Sequence, residues 1–438
     1  MHRILLCLAA FAAATPFARA QQSLPEMREE LKKLQQRIDE LEGRVKDAES
    51  TASQAAAQAS NRPQGENALN PGVSVILNGV YANLSRDPTT YRINGFVPTM
   101  GDVAPPTRGF SLGESELALA ANIDPMFRGT LVAAISPDND TIGVEEGYIQ
   151  TLALPRGFTL KAGRFFSAVG YQNQIHAHAW DFADAPLVMR AFLGGQLNED
   201  GVQFRWLAPT DTYWDIGAEL GRGRAFPASL SESGKNGAGS LNLFTHVGGD
   251  VGQGIAWQAG LSHLRTNPRD RRFDDPTAGV TDAFTGTSRL WALSGILKWA
   301  PNGNSTEKNL KLQGEYFRRN EEGTLVFDSP GAAVPNGYNS RQSGWYAQAV
   351  YQFMPQWRVG YRYDRLDSGG VSVDAPAAFP ILAGYQPKKH SVMLDWNPSE
   401  FSRIRLQLAR DYSRANEPDN QVLLQYIVSL GAHGAHTF

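Results

Sequence analysis

Apolar and polar side chains alternate along many short segments of this chain, and this period of two constrains its fold more than any other feature. Val202, Phe204 and Trp206, for example, alternate with Gln203 and Arg205. A strand with this pattern has one apolar face and one polar face. Such patterns predict sixteen strands, at residues 73–83, 113–123, 129–136, 144–153, 157–165, 201–208, 213–221, 240–248, 254–263, 288–299, 310–318, 344–353, 357–365, 388–397, 401–411 and 421–430.

The connections between these segments alternate in length. Short turns contain strand-breaking residues, as in Asp124-Pro125, Pro155-Arg156-Gly157 and Asn397-Pro398, and long polar, glycine-rich loops lie between them. An even number of strands, with short turns at one end and long loops at the other, is typical of outer-membrane proteins. The sequence therefore predicts an all-β fold: a sixteen-stranded antiparallel transmembrane β-barrel in the lipid bilayer of the outer membrane, preceded by a short α-helical coiled coil.

The positions of the tryptophans favour a barrel over a soluble β-sandwich. The strands of a sandwich would also have alternating apolar and polar side chains. Eight of the nine tryptophans fall on the apolar face of a predicted strand: Trp206, Trp214, Trp257, Trp291, Trp299, Trp345, Trp357 and Trp396. Five of these, Trp206, Trp214, Trp299, Trp357 and Trp396, lie beside short turns, as the aromatic residues at a membrane interface do. A sandwich would bury its apolar face and would rarely place tryptophans next to turns.

The last predicted strand has the same alternation and is followed by the terminal aromatic residue Phe438. Val422, Leu424 and Tyr426 alternate there with polar residues. An apolar strand face that ends in an aromatic residue is typical of the strand that closes an outer-membrane barrel. Tyr426 and Phe438 are therefore the predicted assembly signal.

The N-terminal region is predicted to contain no part of the barrel. Residues 1–20 have a positive start at Arg3, an apolar stretch and a small-residue cleavage site at Ala18-Arg19-Ala20, which indicates a cleaved signal peptide. Cys7, the single cysteine, lies within it, so the mature chain is expected to lack thiols. Residues 61–72 are predicted as a linker and residues 73–438 as the barrel.

Residues 21–60 are predicted to form a periplasmic coiled-coil helix. Apolar residues recur at positions 24, 31, 38, 45, 52 and 59 and at 27, 34, 41, 48 and 55, an unbroken heptad spacing. The alternative is a single amphipathic helix. Ile38 and Val45 with Leu34 and Leu41 favour a dimer by themselves.

The polar face of the strands should line a water-filled lumen, because sixteen strands are too many for a packed core. Inward parity predicts a basic wall in strands thirteen to fifteen, composed of Arg358, Arg362, Lys389, Arg403 and Arg405. The other predicted lumen residues are Lys161, Arg205, Asp215, Glu219, Lys311, Glu315, Asp364 and Asp395.

The longest loop, Phe166 to Asp200, is predicted to fold into the lumen as a constriction. It carries Asp181, Asp184, Glu199 and Asp200 against the single cation Arg190. An acidic loop opposite a basic wall would create a transverse field that orients dipolar solutes. Alternatively, these charges only solvate a wide lumen and pair with one another.

Composition and motifs argue against several other functions. The net charge of −3 argues against nucleic acid as a partner. The sequence has no His-Glu-x-x-His or phosphate-loop motif, and we predict that the protein is not an enzyme and has no cofactor. His176 with His178, and His433 with His436, are spaced as metal ligands can be, but histidines without a metal are favoured.

The heptads, the Asn122-Ile123-Asp124-Pro125 turn, the long loop after strand five and Phe438 resemble those of the sixteen-stranded porins, and most closely the phosphate-selective group. The resemblance implies a homotrimer with a coiled-coil N-terminus and one pore per subunit. An anion-selective loop of that group would carry clustered lysines, whereas this loop has none.

The predicted function is therefore a weakly selective channel for small hydrophilic solutes or ions. The alternatives are an anion- or metal-linked substrate-specific channel, an envelope tether, and a membrane-embedded hydrolase.

Overall fold

The computed structural model describes residues 32–33, 72–99, 101, 103–135, 141–229 and 236–431. The predicted signal peptide, coiled coil and linker lie outside the described residues, apart from Lys32 and Lys33, which are helical and exposed, and Gly72, which begins the first strand. Phe438 and the His433 and His436 pair also lie outside them. Among the described residues, no helix is long and apolar enough to span a membrane.

The described chain forms a single antiparallel sheet of sixteen wall strands. The strands are β1 (Gly72–Leu84), β2 (Gly109–Leu112 and Ser115–Asn122), β3 (Phe127–Ile135), β4 (Ile142–Thr151), β5 (Phe158–Phe166), β6 (Asn198–Leu207), β7 (Tyr213–Gly221), β8 (Ser240–Val251), β9 (Ile255–Thr266 and Arg271–Asp275), β10 (Val280–Trp299), β11 (Asn309–Phe327), β12 (Val334–Met354), β13 (Trp357–Val373), β14 (Lys388–Ser399), β15 (Ser402–Asp411) and β16 (Asp419–Gly431). β2 and β9 are each interrupted once, and both of their segments pair with the same neighbouring strand.

The sheet closes on itself, because β1 pairs with β2 on one side and with β16 on the other. Val75 lies opposite Leu430, and Leu84 lies opposite Gln421. Closure satisfies the backbone hydrogen bonds of both edge strands, which the bilayer requires. The predicted sixteen-stranded antiparallel barrel is confirmed.

The predicted alternation of faces is visible in the exposure of β16. Gln421 and Gln425 face inward and are buried, whereas Leu424 and Tyr426 are 44% and 50% exposed on the outer face. Large apolar side chains are exposed along strands throughout the wall. Contact of such an apolar surface with water would be unfavourable, whereas contact with lipid chains is favourable.

Four neighbouring strands are much longer than predicted. β10 to β13 contain 20, 19, 21 and 17 residues, whereas β3 to β5 contain 9, 10 and 9. The added segments lie at the end of the barrel that carries the long loops. Runs such as residues 318–322 and 339–343 are polar on both faces, so hydrophobic alternation could not reveal them.

The interior contains a hydrophobic core, contrary to the expectation of an open water-filled lumen. Residues 167–197, here called the inner loop, fold inside the barrel and include the helix α1 (Leu187–Leu193), in which every residue is buried. Phe192 packs against Phe96 of the β1–β2 connection and Phe317 of β11, with ring centroids 5.7 and 6.2 Å apart. A short helix that is apolar on nearly all sides must be buried.

Candidate functional site

The inner loop is held in the lumen by carboxylates that project inward from the wall. Glu219 of β7 accepts hydrogen bonds from Ser167 Oγ and Ala168 N, at 2.5 and 2.8 Å. Glu315 of β11 accepts from the backbone N–H groups of Tyr171 and Gln172, at 2.8 and 3.0 Å. These predicted lumen residues therefore satisfy backbone donors of a buried loop, which would otherwise be left unpaired.

Another predicted lumen residue, Asp364 of β13, holds the start of α1. Asp364 Oδ1 accepts a hydrogen bond from Leu187 N at 2.9 Å, and Oδ2 accepts from Arg362 Nε at 2.9 Å. The carboxylate satisfies one of the free N–H groups at the start of the helix. The wall strand thereby fixes the position of the helix.

Asp184 of the inner loop is surrounded by cations. Its carboxylate accepts hydrogen bonds from Lys389 Nζ at 2.6 Å, Arg190 Nη2 at 2.8 Å and Arg362 Nη2 at 2.9 Å, and from Gln407 Nε2 at 2.8 Å. Burial raises the pKa of this carboxyl, but the attraction of Lys389, Arg362 and Arg190 outweighs burial and holds the pKa well below its usual range. Asp184 is therefore ionised at neutral pH.

Asp181 makes a second set of contacts with the wall. It accepts hydrogen bonds from Lys311 Nζ at 2.9 Å, Arg358 Nη1 at 3.2 Å and Gln348 Nε2 at 3.2 Å. Burial raises its pKa, and the nearby Lys311 and Arg358 lower it further than burial raises it. This carboxylate is also ionised at neutral pH.

Asp395 of β14 organises the rest of the basic wall. It pairs with Arg358 and, at 2.8 Å, with Arg405 Nε, while Arg403 Nε lies 3.9 Å from it. Arg403 Nη1 and Arg405 Nη2 also donate to the carbonyl oxygen of Trp180, at 3.2 and 2.9 Å. Both arginines therefore hold the inner loop against β15.

The acidic loop and the basic wall thus contact each other directly, whereas the sequence suggested that they face each other across a gap. Arg362, Lys389 and Arg405 have exposed fractions of about 1% or less. A buried charge without a partner is costly, so burial of the loop requires these ion pairs. Of the five cations of the basic wall, Arg358 and Arg403 keep the larger exposure, 18% and 22%.

Glu199 and Asp200 do not belong to the inner loop, because β6 begins at Asn198. Glu199 accepts a hydrogen bond from Ser240 Oγ at 2.6 Å, and Asp200 pairs with Arg164 Nε at 2.6 Å. Glu199 therefore connects β6 to β8, and Asp200 connects β6 to its neighbour β5. Their position corrects the predicted loop boundary of Asp200 by a few residues.

The remaining predicted lumen residues lie on β5 to β7. Lys161 Nζ lies over the Tyr148 ring, 4.4 Å from its centroid. Arg205 Nε lies 3.3 Å from Asp215 Oδ2, and His246 Nδ1 lies 2.8 Å from Asp215 Oδ1. Asp215 therefore pairs with Arg205 and His246, whereas Lys161 makes a cation–π contact.

Cavities lie beside the inner loop in the described part of the barrel. One, of about 730 Å³, opens near the short turns and is lined by Asp181, Asp250, Lys298, Lys311 and Arg358 among others. The other, of about 710 Å³, includes lining residues from β1, β2, β4 and β16, and its charged residues are Glu114, Glu145, Asp184, Arg190 and Arg224. The first contains more cations than carboxylates, and the second contains more carboxylates than cations.

The inner loop carries His176 and His178 into a group of glutamates that sequence reasoning missed. His178 Nδ1 lies 2.7 Å from Glu116 Oε1, and His176 Nδ1 lies 3.2 Å from both Glu116 Oε2 and Glu145 Oε2. His176 Nε2 lies 3.0 Å from Glu146 Oε2. These five residues are here called the histidine–glutamate cluster.

A β-bulge explains why the glutamates were missed. Strict alternation would place Glu145 and Glu146 on opposite faces. In the structure Val132 of β3 pairs with Glu146 and Ala133 pairs with Val144, so Glu145 is the extra residue of a bulge. A bulge re-aims a side chain, and both carboxylates reach His176.

The cluster affects the protonation of His176. Burial lowers the pKa of this imidazole, but hydrogen bonds to Glu116, Glu145 and Glu146 outweigh burial and raise the pKa well above its usual value. In the absence of another cation, His176 is therefore the positive partner of these carboxylates.

Comparison with solved structures shows similarity to outer-membrane porins of sixteen strands. A loop-deletion mutant of OmpT, an outer membrane protein of Vibrio cholerae, aligns with a TM-score of 0.51 and 10% identity over 82% of this chain and 99% of that chain. OprB of Pseudomonas putida aligns with a TM-score of 0.50 and 13% identity over 82% of this chain and 94% of that chain. An anion-selective porin from Comamonas acidovorans has a TM-score of 0.50 and 10% identity over 82% and 99%. At these identities the similarity concerns the fold.

The amino-acid sequence is similar to that of one other protein described below. No protein-family model matches the chain. An uncharacterized protein of Aquifex aeolicus strain VF5 is 34% identical over 351 residues, which cover 76% of this chain and 70% of the relative. The chain therefore belongs to the same family as this Aquifex aeolicus protein, and it has the fold of the outer-membrane porins.

Proposed function

We propose that the protein is an outer-membrane porin that lets small hydrophilic solutes or ions diffuse past the inner loop. The observation that carries this proposal is the inner loop itself, which Asp181 and Asp184 hold against β11 to β15 inside a closed barrel. Cavities with charged linings remain beside the loop. A purely structural barrel would not need polar space within it.

The charges that line these cavities favour weak selectivity. The cavity near the short turns has Lys298, Lys311 and Arg358 against Asp181 and Asp250. The lining of the other cavity has one more carboxylate than cations. Arg358, with its partly exposed side chain, is the member of the basic wall proposed to contact passing solutes in the first cavity. A solute would meet both signs in succession, which favours neither cations nor anions strongly.

The wall supports a homotrimer in which β1 to β5 face the other subunits. β3 to β5 are short, and no tryptophan lies between residues 72 and 166, whereas tryptophans occur from β6 to β14. Lipid-facing walls are enriched in tryptophan at the membrane interfaces, so a wall without them suits contact with protein. The helix predicted over residues 21–60 would add to this trimer from the periplasm.

The hydrolase alternative has less support. His390 lies on β14, and its Nδ1 is 2.8 Å from Tyr361 Oη. A nucleophilic serine would need to make a hydrogen bond of this kind to the histidine. Tyr361 is half exposed on the outer face of β13, as lipid-facing residues of the wall are.

Single-channel recording in planar bilayers tests the proposed function. The purified protein should give stepwise conductance in groups of three, and the reversal potential in a salt gradient should lie near zero. An unfolded sample of the protein without detergent serves as the control, and it should give no conductance steps. A correctly folded barrel that inserts without conductance would overturn the proposal and favour the envelope tether.

A further inference from the structure

We propose that the histidine–glutamate cluster is a divalent transition-metal site that joins the inner loop to β2 and β4. Its ligands are His176 Nδ1, His178 Nδ1 and the carboxylates of Glu116 and Glu145. This inference concerns metal binding by the folded chain and does not depend on conduction through the barrel.

The first argument is the convergence of ligand atoms. One ligand atom from each of Glu116, His176 and His178 lies within 4.8 Å of the others. Glu145 Oε2 lies 3.2 Å from the same nitrogen of His176 that faces Glu116. Ligands at about 2.0–2.2 Å from a tetrahedral ion lie roughly 3.3–3.6 Å apart, so small side-chain rotations would place an ion between Glu116, His176 and His178, with Glu145 beside His176 as the fourth ligand.

The second argument is the arrangement around His176. Its Nδ1 faces Glu116 and Glu145, and its Nε2 faces Glu146 Oε2 at 3.0 Å. Metal-binding histidines almost always donate their other ring N–H to a carboxylate or carbonyl, which fixes the tautomer and orients the ring. Glu146 occupies that position, so this glutamate is a positioning residue and not a ligand.

The ligand types select the class of ion. Two imidazoles and two carboxylates suit zinc and its neighbours among the first-row metals, whereas calcium and magnesium prefer sites composed of oxygen ligands alone. The site is also negative enough to retain a dication, because Glu116 contacts both imidazoles and Glu145 and Glu146 contact the imidazole of His176. Zinc is therefore the appropriate probe.

The site has a path for the ion to enter. Glu145 lines the cavity of about 710 Å³, together with Glu114, whose carboxylate lies within 4.8 Å of those of Glu116 and Glu145. Carboxylates at the edge of a cavity attract a cation before it reaches His176 and the buried His178.

Isothermal titration of the full-length, untagged protein in detergent tests the site. After chelator treatment and removal of the chelator, Zn²⁺ should bind with one ion per protomer. His176→Ala and His178→Ala should abolish this binding, and Glu146→Gln should weaken it about 10–100-fold. The matched control is His246→Ala, because His246 pairs with Asp215 elsewhere in the lumen and belongs to no such ligand group among the described residues. It should bind Zn²⁺ as the wild type does.

A second measurement covers the case in which the alanine variants fail to fold. Co²⁺ added to the wild type should give visible absorption bands of a protein-bound ion that Zn²⁺ removes. The double variant His433→Ala and His436→Ala, which leaves the cluster intact, should keep these bands. Absence of saturable Zn²⁺ binding to the folded wild type, or its loss only in the His433 and His436 variant, would overturn the proposal.

Discussion

At the scale of single residues, Asp184 joins the inner loop to three wall strands through Arg362, Lys389 and Gln407. Three cations and an amide converge on its carboxylate, and its side chain is 6% exposed. Buried ion pairs contribute little relative to an apolar replacement, but removal of one partner leaves the others uncompensated. The loop therefore depends on Asp184 because the wall has already placed Arg362 and Lys389 in the interior.

The substitution Asp184→Asn should destabilise the folded barrel by about 3–5 kcal/mol, because it leaves Lys389, Arg362 and Arg190 without their shared anion. Denaturant unfolding of the refolded protein would measure this loss. The exposed Asp87→Asn serves as the control, since the side chain of Asp87 accepts hydrogen bonds from Thr89 of its own turn. Equal stability of the two variants would contradict the assigned role.

The contribution of Asp184 should depend on pH with a defined sign. Its folded pKa lies well below that of an unfolded aspartate, about 3.9. The stabilisation is therefore complete above about pH 4 and decreases as the pH falls toward the folded pKa. The difference in unfolding free energy between wild type and Asp184→Asn should stay constant from pH 7 to about pH 5 and shrink below pH 4. A difference that grows in acid would exclude this explanation.

At the scale of elements, the wall and the inner loop differ in what the sequence reveals. The lipid requires an apolar face on every strand, so β6, β7 and β11 could be read from residues 202–206, 214–220 and 310–316 alone. The bulge at Glu145 and the polar extensions of β10 to β13 violate or lack that alternation. They could not be predicted.

The candidate site was predictable only in part. Inward parity identified Arg358, Arg362 and Lys389, because parity follows from the strand alone. It could not reveal that Asp181 and Asp184 touch these cations, since that contact depends on how α1 packs. The seven residues of α1 are too few for a helical period to be recognised.

Phe192→Ala should loosen the inner loop, because Phe192 is completely buried between Phe96 and Phe317. The cavity left behind should cost about 3–5 kcal/mol, and the single-channel conductance should rise and become noisier. Phe204→Ala removes the same ring from the lipid-facing side of β6, where Phe204 is 45% exposed, so its conductance should match the wild type. Unchanged conductance in both variants would mean that the loop does not limit the channel.

At the scale of the whole molecule, the selectivity of the channel should follow the charges that line its cavities. Lys298→Gln removes a cation from the cavity near the short turns and should shift the reversal potential toward cation preference. The shift should shrink between 0.1 M and 1 M salt, as screening shortens from ~10 Å to ~3 Å. Lys308→Gln removes the same charge from an exposed position before β11 and should leave the potential unchanged. A shift of equal size in both would indicate a surface effect.

Deletion of residues 24–60 tests whether the predicted helix stabilises the oligomer. The barrel should still insert and conduct, because the deletion ends before β1. The trimer should dissociate at a lower temperature in detergent gels, since the helix would add interface without touching the barrel. Identical melting of the oligomer with and without these residues would exclude an assembly role.

The barrel wall is taller at β10 to β13 than at β3 to β5. β12, with 21 residues at ~3.3 Å each and a tilt of about 40°, rises ~50 Å along the barrel axis, whereas the 10 residues of β4 rise only ~25 Å, the height of the apolar band. In a trimer joined through β1 to β5, the high sides would stand outermost and the low sides would meet at the centre. The three mouths would then open inward into one shared vestibule, and a solute that missed one entrance would remain beside the other two.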